Sequence, residues 1–207
     1  MVGHFDDAAS IWNERFSGQE FLFGIEPNVY LAAQAHLLKP GQRALAVADG
    51  EGRNSVWLAG QGLRVDAFDI SSVGVDKARK LALDAGVDVN YQVSDCEKWS
   101  WEEGAYDLVA AIFIQFAGPD MRSRLFARMS AALRPGGLLI LQGYTPKQLE
   151  FGTGGPGILE NLYTEQLLRA EFSSLELLEL QAYEANLQEG RRHAGRSALI
   201  GMVARRP

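Results

Sequence analysis

Cysteine is nearly absent: Cys96 is the single one in 207 residues. An intrachain disulfide is therefore excluded, and a reducing, cytoplasmic setting is expected. Long hydrophobic runs are missing as well. The longest covers residues 108–114, far short of the roughly 20 residues that a membrane helix needs, so no membrane partner is expected. The opening MVGHFDDAAS carries two acids and no apolar stretch, and does not read as a signal peptide. Positive charge is in deficit, with 20 Lys and Arg against 26 Asp and Glu and a net charge of −6. No nucleic-acid partner is expected, because phosphate contacts need a basic face. His4, His36 and His193 are isolated in the sequence and Cys96 has no partner, so the pattern predicts no metal site. Repeats and low-complexity tracts are lacking too.

Hydrophobic residues make up 47% of the chain and charged residues 22%, a balance that folds rather than one that stays disordered. The length suits one compact domain with a substantial core. Along it, strands alternate with helices. Residues 43–48 form a short apolar strand ending in DGEGRN, and residues 53–61 read as a helix stopped by Gly60 and Gly62. Residues 63–70 alternate as a strand, and 72–85 carry Val75, Ala78, Ala82 and Ala85 on one helical side. Strands follow at 88–93 and 106–113, the second almost wholly apolar, as a central parallel strand should be. Residues 120–133 predict a helix capped by Asp120 and broken by Pro135-Gly136-Gly137 ahead of a strand at 138–141. Residues 144–162 read as a Gly-rich loop, and Thr164 as the cap of a short helix ending near Phe172. Residues 174–186 and 196–205 predict an antiparallel hairpin. This alternation implies an α/β fold with a mainly parallel sheet, right-handed crossovers, and ligands beyond the carboxyl ends of the strands. Residues 1–40 hold Trp12, Phe16, Phe21, Phe23 and Tyr30, with helices predicted near 6–16 and 27–38. They are expected to cover the strand ends, and residues 41–207 to form the main domain.

The turn Asp49-Gly50-Glu51-Gly52-Arg53-Asn54 joins the first strand to the helix after it. Gly50 and Gly52 let the backbone approach a ligand and take positive φ, and the helix start offers free N–H groups. Asp69 ends the second strand, nineteen residues after Gly50, where an acid can accept hydrogen bonds from both hydroxyls of a ribose. Asp95 repeats that placement on the third strand, where it could accept from an adenine amino group. Each acid also has a plainer reading as a cap or turn residue. A nicotinamide dinucleotide fits less well. Its fingerprint wants a third Gly where Ser55 stands, and Asp49 and Glu51 would repel a pyrophosphate. An acidic turn tolerates ammonium and sulfonium charges, which points to S-adenosylmethionine.

The motifs LAVADGEGRNSVWLA (45–59), VDAFDIS (65–71), VSDCEKW (93–99), YDLVAAI (106–112) and LRPGGLLIL (133–141) resemble those of class I S-adenosylmethionine-dependent methyltransferases. Within that family GRNSVWLA, IWNERFSGQEFLFGIEPN (11–28) and EGRRHAGRSALIGMVARRP (189–207) are similar to the tellurite-resistance and thiopurine methyltransferase-like branch. The resemblance implies a Rossmann-like, seven-stranded, mainly parallel sheet in the order 3-2-1-4-5-7-6, its last strand antiparallel, flanked by helices. It implies that Gly50 and Gly52 line the methionine part of the cofactor, with Asp49 and Glu51 beside them and Asn54 at the helix start nearby. Asp69 would take the ribose and Ile70 would pack on adenine. Asp95 and Cys96 would border the adenine edge, and Ile112 and Phe113 would face the methyl centre. S-Adenosylhomocysteine is the implied product. The chain departs from the family pattern at Ala46, where an acid is usual, at Ala48, where Gly is usual, and at Asp49, where Cys or Thr is common. A non-catalytic relative that keeps the fold is the alternative those departures leave open.

Methyl transfer is an in-line displacement; the cofactor supplies the reactivity, and the protein supplies alignment and a dry site. The fourth strand ends in AIFIQF (111–116), without the Asn-Pro-Pro-Tyr or Asp-Pro-Pro-Tyr quartet of amino-group methylases and without a general base. A small acceptor that is soft or already ionised is expected: a thiol or thiopurine, or tellurite or selenite. Arg191, Arg192, His193 and Arg196 form a basic cluster between the last two strands. In the branch that the chain resembles, this segment approaches the acceptor, which implies that Arg192 holds an anionic group and His193 relays a proton. The plainer reading is a solvated turn. Arg15 and Trp12 are weaker candidates for closing the site. A monomer or homodimer is expected.

Overall fold

The computed structural model describes residues 4–190 and 193–207. Helix α1 (His4–Phe16) and the short helix α2 (Val29–Ala33), followed by a 3-10 turn at Ala35–Leu37, precede the sheet. There follow β1 (Arg43–Val47), α3 (Arg53–Gly60), β2 (Arg64–Asp69), α4 (Ser72–Asp84), β3 (Val89–Val93) and β4 (Tyr106–Ile112). The second half contains α5 (Pro119–Ala132), β5 (Leu133–Tyr144), α6 (Gln148–Phe151), a 3-10 turn at Leu159–Asn161, α7 (Glu165–Glu171), β6 (Glu176–Glu189) and β7 (His193–Arg205).

The seven strands make one sheet in the order β3-β2-β1-β4-β5-β7-β6. The first five pair in parallel, and β7 runs antiparallel to both β5 and β6. This is the Rossmann-like order that the family resemblance implies, with the mainly parallel sheet that the strand–helix alternation implies. Tyr106–Ala111 of β4 are all buried, because helices cover both faces of the sheet and each side chain meets one of them. On one face Leu45, Phe68 and Val109 pack with Phe126 and Met129 of α5. On the other, Ala44, Val65 and Leu108 pack with Leu58 of α3 and Leu31 of α2. Strand order reverses between β1 and β4, which opens a crevice beyond their carboxyl ends. Among the described residues no helix is long and apolar enough to cross a membrane.

Three local expectations are corrected. Helix α5 begins at Pro119 with Gly118 as its N-cap; Asp120 lies inside the first turn instead of capping it. Proline suits that first position, since its missing N–H has no partner there anyway. Pro135-Gly136-Gly137 does not separate helix from strand, because β5 already starts at Leu133. The backbone of Arg206 pairs with Gly136 and Gly137 and holds them in the ladder. The hairpin is also longer than the pattern suggested, its pairing running out to Glu189 opposite His193.

Candidate active site

A cavity of about 740 Å³ lies at the carboxyl ends of β1, β2, β3 and β4. Asp49 and Gly50 follow β1 into it, Asp69 and Ile70 sit at the end of β2, Asp95 and Cys96 follow β3, and Ile112 and Phe113 end β4. Asn54 lines it from the start of α3. The sheet order brings these residues together from four separate stretches of sequence. Trp12, Arg15, Phe16, Leu22 and Phe23 line it from the N-terminal segment, and the loop containing Gly154–Ile158 from the far side.

Two of the expected residues do not line the cavity. Glu51 turns away and accepts from Lys77 Nζ at 2.6 Å and from the Leu22 amide at 2.7 Å. Gly52, at φ 94°, packs on α4. A Cβ there would fall 2.6 Å from the Ala78 Cβ, so its missing side chain is required by helix packing. As N-cap of α3, Gly52 has no side chain to offer, and Asp49 supplies the acceptor from outside the helix. Its carboxylate accepts from the Ser55 amide at 3.2 Å and from the Ser55 hydroxyl. Ser55, fully buried, also meets the Tyr91 hydroxyl at 2.8 Å. Asp49 thus ties down a turn that lacks the acid at Ala46. Asn54 Oδ1 is engaged by the Asn28 amide at 2.9 Å.

The three acids are held by backbone donors. Asp69 accepts from Gly50 N at 2.9 Å and from Ser71 N at 2.8 Å. Burial pushes its carboxyl up to about 6 against those bonds, and pushes that of Asp49 up to about 7. A cation arriving there shifts both further toward the ionised form, since an opposite charge favours the carboxylate. Asp95 Oδ1 accepts from Glu97 N and Lys98 N, both at 2.8 Å, the geometry of a turn cap. Each Asp69 oxygen accepts one of its two bonds and keeps a second lone pair for a ligand hydroxyl, whereas Asp95 Oδ1 is filled and Oδ2 is the oxygen left to face a ligand amine. Burial pushes the Cys96 thiol up to about 12, so at neutral pH it is an inert apolar wall.

Beyond β4 the lining turns aromatic. Phe113 stacks on Tyr144 with ring centroids 4.7 Å apart, and a Cβ on Gly155 would fall 2.8 Å from the Tyr144 ring. Phe116, Met121 and Ile158 complete that end. Ala48 (φ 49°) and Phe113 (φ 55°) are the non-glycine residues with positive φ among those described. They stand at the ends of β1 and β4, on either side of the reversal in strand order, where strained backbone marks functional sites. Gln115 is spent on structure: Nε2 donates to the carbonyls of Tyr144 and Asn161 at 2.9 and 3.0 Å. Asp49, Asp69 and Asp95 are the carboxylates among the described lining residues, and no described histidine lines the cavity.

Phe68, Arg53, Gln115, Tyr144 and the 154–158 loop escaped sequence reasoning; only the loop left a signal, its glycines. Arg192 and the side chain of His193 lie outside the described residues, where the backbone of His193 opens β7.

Residues 44–137 match the family model of a methyltransferase domain. The matched segment runs from β1 into β5, a little under half of the chain, and carries the turn after β1 together with Asp69, Asp95 and Phe113. The chain is 31% identical over 134 residues to the ubiquinone biosynthesis O-methyltransferase of Xanthomonas axonopodis pv. citri, a match over 64% of this chain and 56% of that relative. It thus spans little more than half the length of the curated relative. Among solved structures it resembles one described under the conversion of a disulfide bond into a thioacetal group during echinomycin biosynthesis, with a TM-score of 0.77 at 17% identity, over 98% of this chain and 91% of that one. It resembles TehB from Haemophilus influenzae with a TM-score of 0.70 at 14% identity, over 96% of this chain and 67% of that one. At these identities the two likenesses establish the fold alone. A SAM-dependent methyltransferase from Methanosarcina mazei shares that fold with a TM-score of 0.70 at 18% identity, over 87% of this chain and 98% of that one, and S-adenosylmethionine is the cofactor this likeness implies. The donor set fits it: an acid-lined end for a cationic ligand with a ribose diol, and at Gly50 (φ 63°) a bare backbone facing the cavity.

Proposed function

We propose that the protein transfers a methyl group from S-adenosylmethionine to a small, soft acceptor of the thiol or thiopurine type. One observation carries this reading: a single cavity joins an acid-lined end at β1–β3 to an aromatic end at β4–β5 that has no described base. In this reading Asp69 holds the ribose, and Ile70, Asp95 and Cys96 border the adenine. Asp49 and Gly50 lie along the methionine part, with Asn54 nearby, and Ile112 and Phe113 flank the methyl centre. Glu51 and Gly52 support the turn from behind. The bound cofactor supplies the electrophilic methyl group. The chain's own residues bind, orient and keep water out.

The aromatic end decides among acceptors. A tellurite or selenite ion would have to give up its hydration for Phe113, Phe116, Met121 and Ile158, which offer no strong donors. A phenol, the acceptor type suggested by the name of the Xanthomonas relative, must lose a proton, and burial raises the Tyr144 hydroxyl well above its ordinary range, so it is no base. An aromatic thiol ionises unaided and has a face to stack. Glu189 ends β6 bonded to cavity-lining Arg53, and His193 opens β7 opposite it. On that adjacency the proposal keeps Arg192 and His193 as candidate acceptor-side residues.

Calorimetry with S-adenosylhomocysteine, followed by turnover on aliphatic thiols, thiopurines, phenols, tellurite and selenite, tests the reading. Binding with turnover on thiopurines is expected. Binding without turnover on any acceptor would establish a non-catalytic relative, and no binding at millimolar ligand would end the proposal.

A further inference from the structure

The segment between α1 and α2 crosses over the turn that follows β1, and charged residues of that turn hold it in place. Lys77 of α4 donates to the carbonyls of Phe16, Gly18 and Glu20 at 3.1, 2.8 and 2.8 Å, and to Glu51 at 2.6 Å. Glu51, its side chain 3% exposed, accepts the Leu22 amide as well. Two residues on, Arg53 donates to the Phe23 carbonyl at 3.3 Å and to Glu189 at 2.7 Å. Glu189 in turn accepts from Asn28 Nδ2 and from the Val29 amide, each at 3.0 Å. Gly190 lies so close that a Cβ on it would fall 2.5 Å from the Leu22 carbonyl oxygen. At the other end, Asn13 Oδ1 accepts from the Ser71 hydroxyl at 2.7 Å, and the Phe16 ring lies against Gly74 and Gly50. Between these anchors Phe16, Leu22 and Phe23 line the cavity.

We propose that residues 13–29 form a strap over the bound cofactor, latched by the ion pairs Glu51–Lys77 and Arg53–Glu189, whose members act as positioning residues that set the rate of cofactor exchange. The inference rests on the reading of the cavity as the cofactor site. Its physical basis is the burial of both pairs. Lifting the strap breaks the bonds that Lys77 and Glu51 make to its backbone, and those that Arg53 and Glu189 make to Phe23, Asn28 and Val29. The charges left behind then lose partners in a site with little water, so opening is costly and cooperative. Asp49 serves the cavity while Glu51 and Arg53, alternating with glycines, serve the strap. One short turn therefore couples ligand to cover.

The test is the double variant Glu51→Met with Lys77→Met, which removes both charges and leaves neither buried alone. In the ligand-free enzyme, amide exchange in residues 17–24 should speed up about tenfold, while the amides of β1 and β2 keep their protection. Release of S-adenosylhomocysteine, followed by stopped-flow displacement, should also speed up about tenfold. The loss should appear in KM for the cofactor rather than in kcat, because no reacting atom is touched. Glu51→Gln, which can still accept the Leu22 amide, should fall between wild type and the double variant, and it decides the matter if the double variant does not fold. A folded variant with wild-type exchange in 17–24 and wild-type release would overturn the strap. Should wild-type protein fail to bind S-adenosylhomocysteine, the cofactor reading falls, and the exchange measurement alone still decides whether these pairs latch the segment.

Discussion

The two ends of the cavity are built on different principles. At the β1–β3 end, Asp69 and Asp95 are fixed by backbone amides two or three residues along the chain or in the turn after the neighbouring strand: Asp69 by Gly50 and Ser71, Asp95 by Glu97 and Lys98. At the β4–β5 end, the wall is made by rings that meet only through packing, Phe113 on Tyr144 and Tyr144 against Gly155. On the proposed reading, the first end recognises charge and hydroxyl groups at fixed positions, which a cofactor common to a whole family demands. On the same reading, the second recognises shape and softness, which is where one acceptor would be told from another.

If the division holds, substitutions at one end should leave the other end's ligand alone. The largest effect is expected from Asp69→Ala, which removes a ribose acceptor and strands two amides. Cofactor affinity should fall at least about tenfold, with a stability loss of about 1–3 kcal/mol. Calorimetry and chemical denaturation check the two parts, and unchanged affinity would misplace the ribose contact. Next comes Phe113→Ala. It deletes the stacking partner of Tyr144, so acceptor KM should rise about five- to tenfold while cofactor affinity moves less than about twofold. Equal losses for both ligands would erase the distinction between the ends.

The acids also predict a pH dependence. Asp49 and Asp69, ordinarily at 3.8, are raised by burial to about 7 and about 6. The ligand-free folded protein therefore holds protons that the unfolded chain has released. Their effect is absent below about pH 4, and the folded state loses stability as pH rises toward 7. A cationic ligand favours the ionised forms, so its affinity should rise over the same interval. Thermal melts from pH 5 to 8 should slope downward, Asp49→Asn should flatten the slope, and S-adenosylmethionine should oppose it. The smallest effect is expected at Ala48. Its φ of 49° carries left-handed strain that Ala48→Gly relieves, at the cost of a freer unfolded chain. The net change should lie between zero and about 1 kcal/mol of added stability, read by denaturant midpoint.

The elements were legible where one local force dominates. The run YDLVAAI reads as a strand buried on both faces, and Thr164 caps α7 through its hydroxyl as the pattern proposes, accepting from Leu167 N at 3.1 Å. Asp120 and the Pro135-Gly136-Gly137 turn were misread. In the first, proline geometry outweighed a side-chain cap; in the second, pairing with the backbone of Arg206 pulled a turn-like sequence into a strand. Glu51 was misread for a related reason. A carboxylate beside two glycines looks like a ligand contact until Lys77, from another helix, is seen to claim it.

The sequence by itself determined the strand–helix rhythm, the acidic tips of the first three strands and the turn between them, because periodicity, capping and turn chemistry act within a few residues. Tertiary structure alone decided that Glu51 and Arg53 serve the N-terminal segment, that Gly52 serves α4, and that Tyr144 and Gly155 wall the far end. Those outcomes depend on partners 11 to 136 residues away, and only the tertiary arrangement sets which of them come within reach.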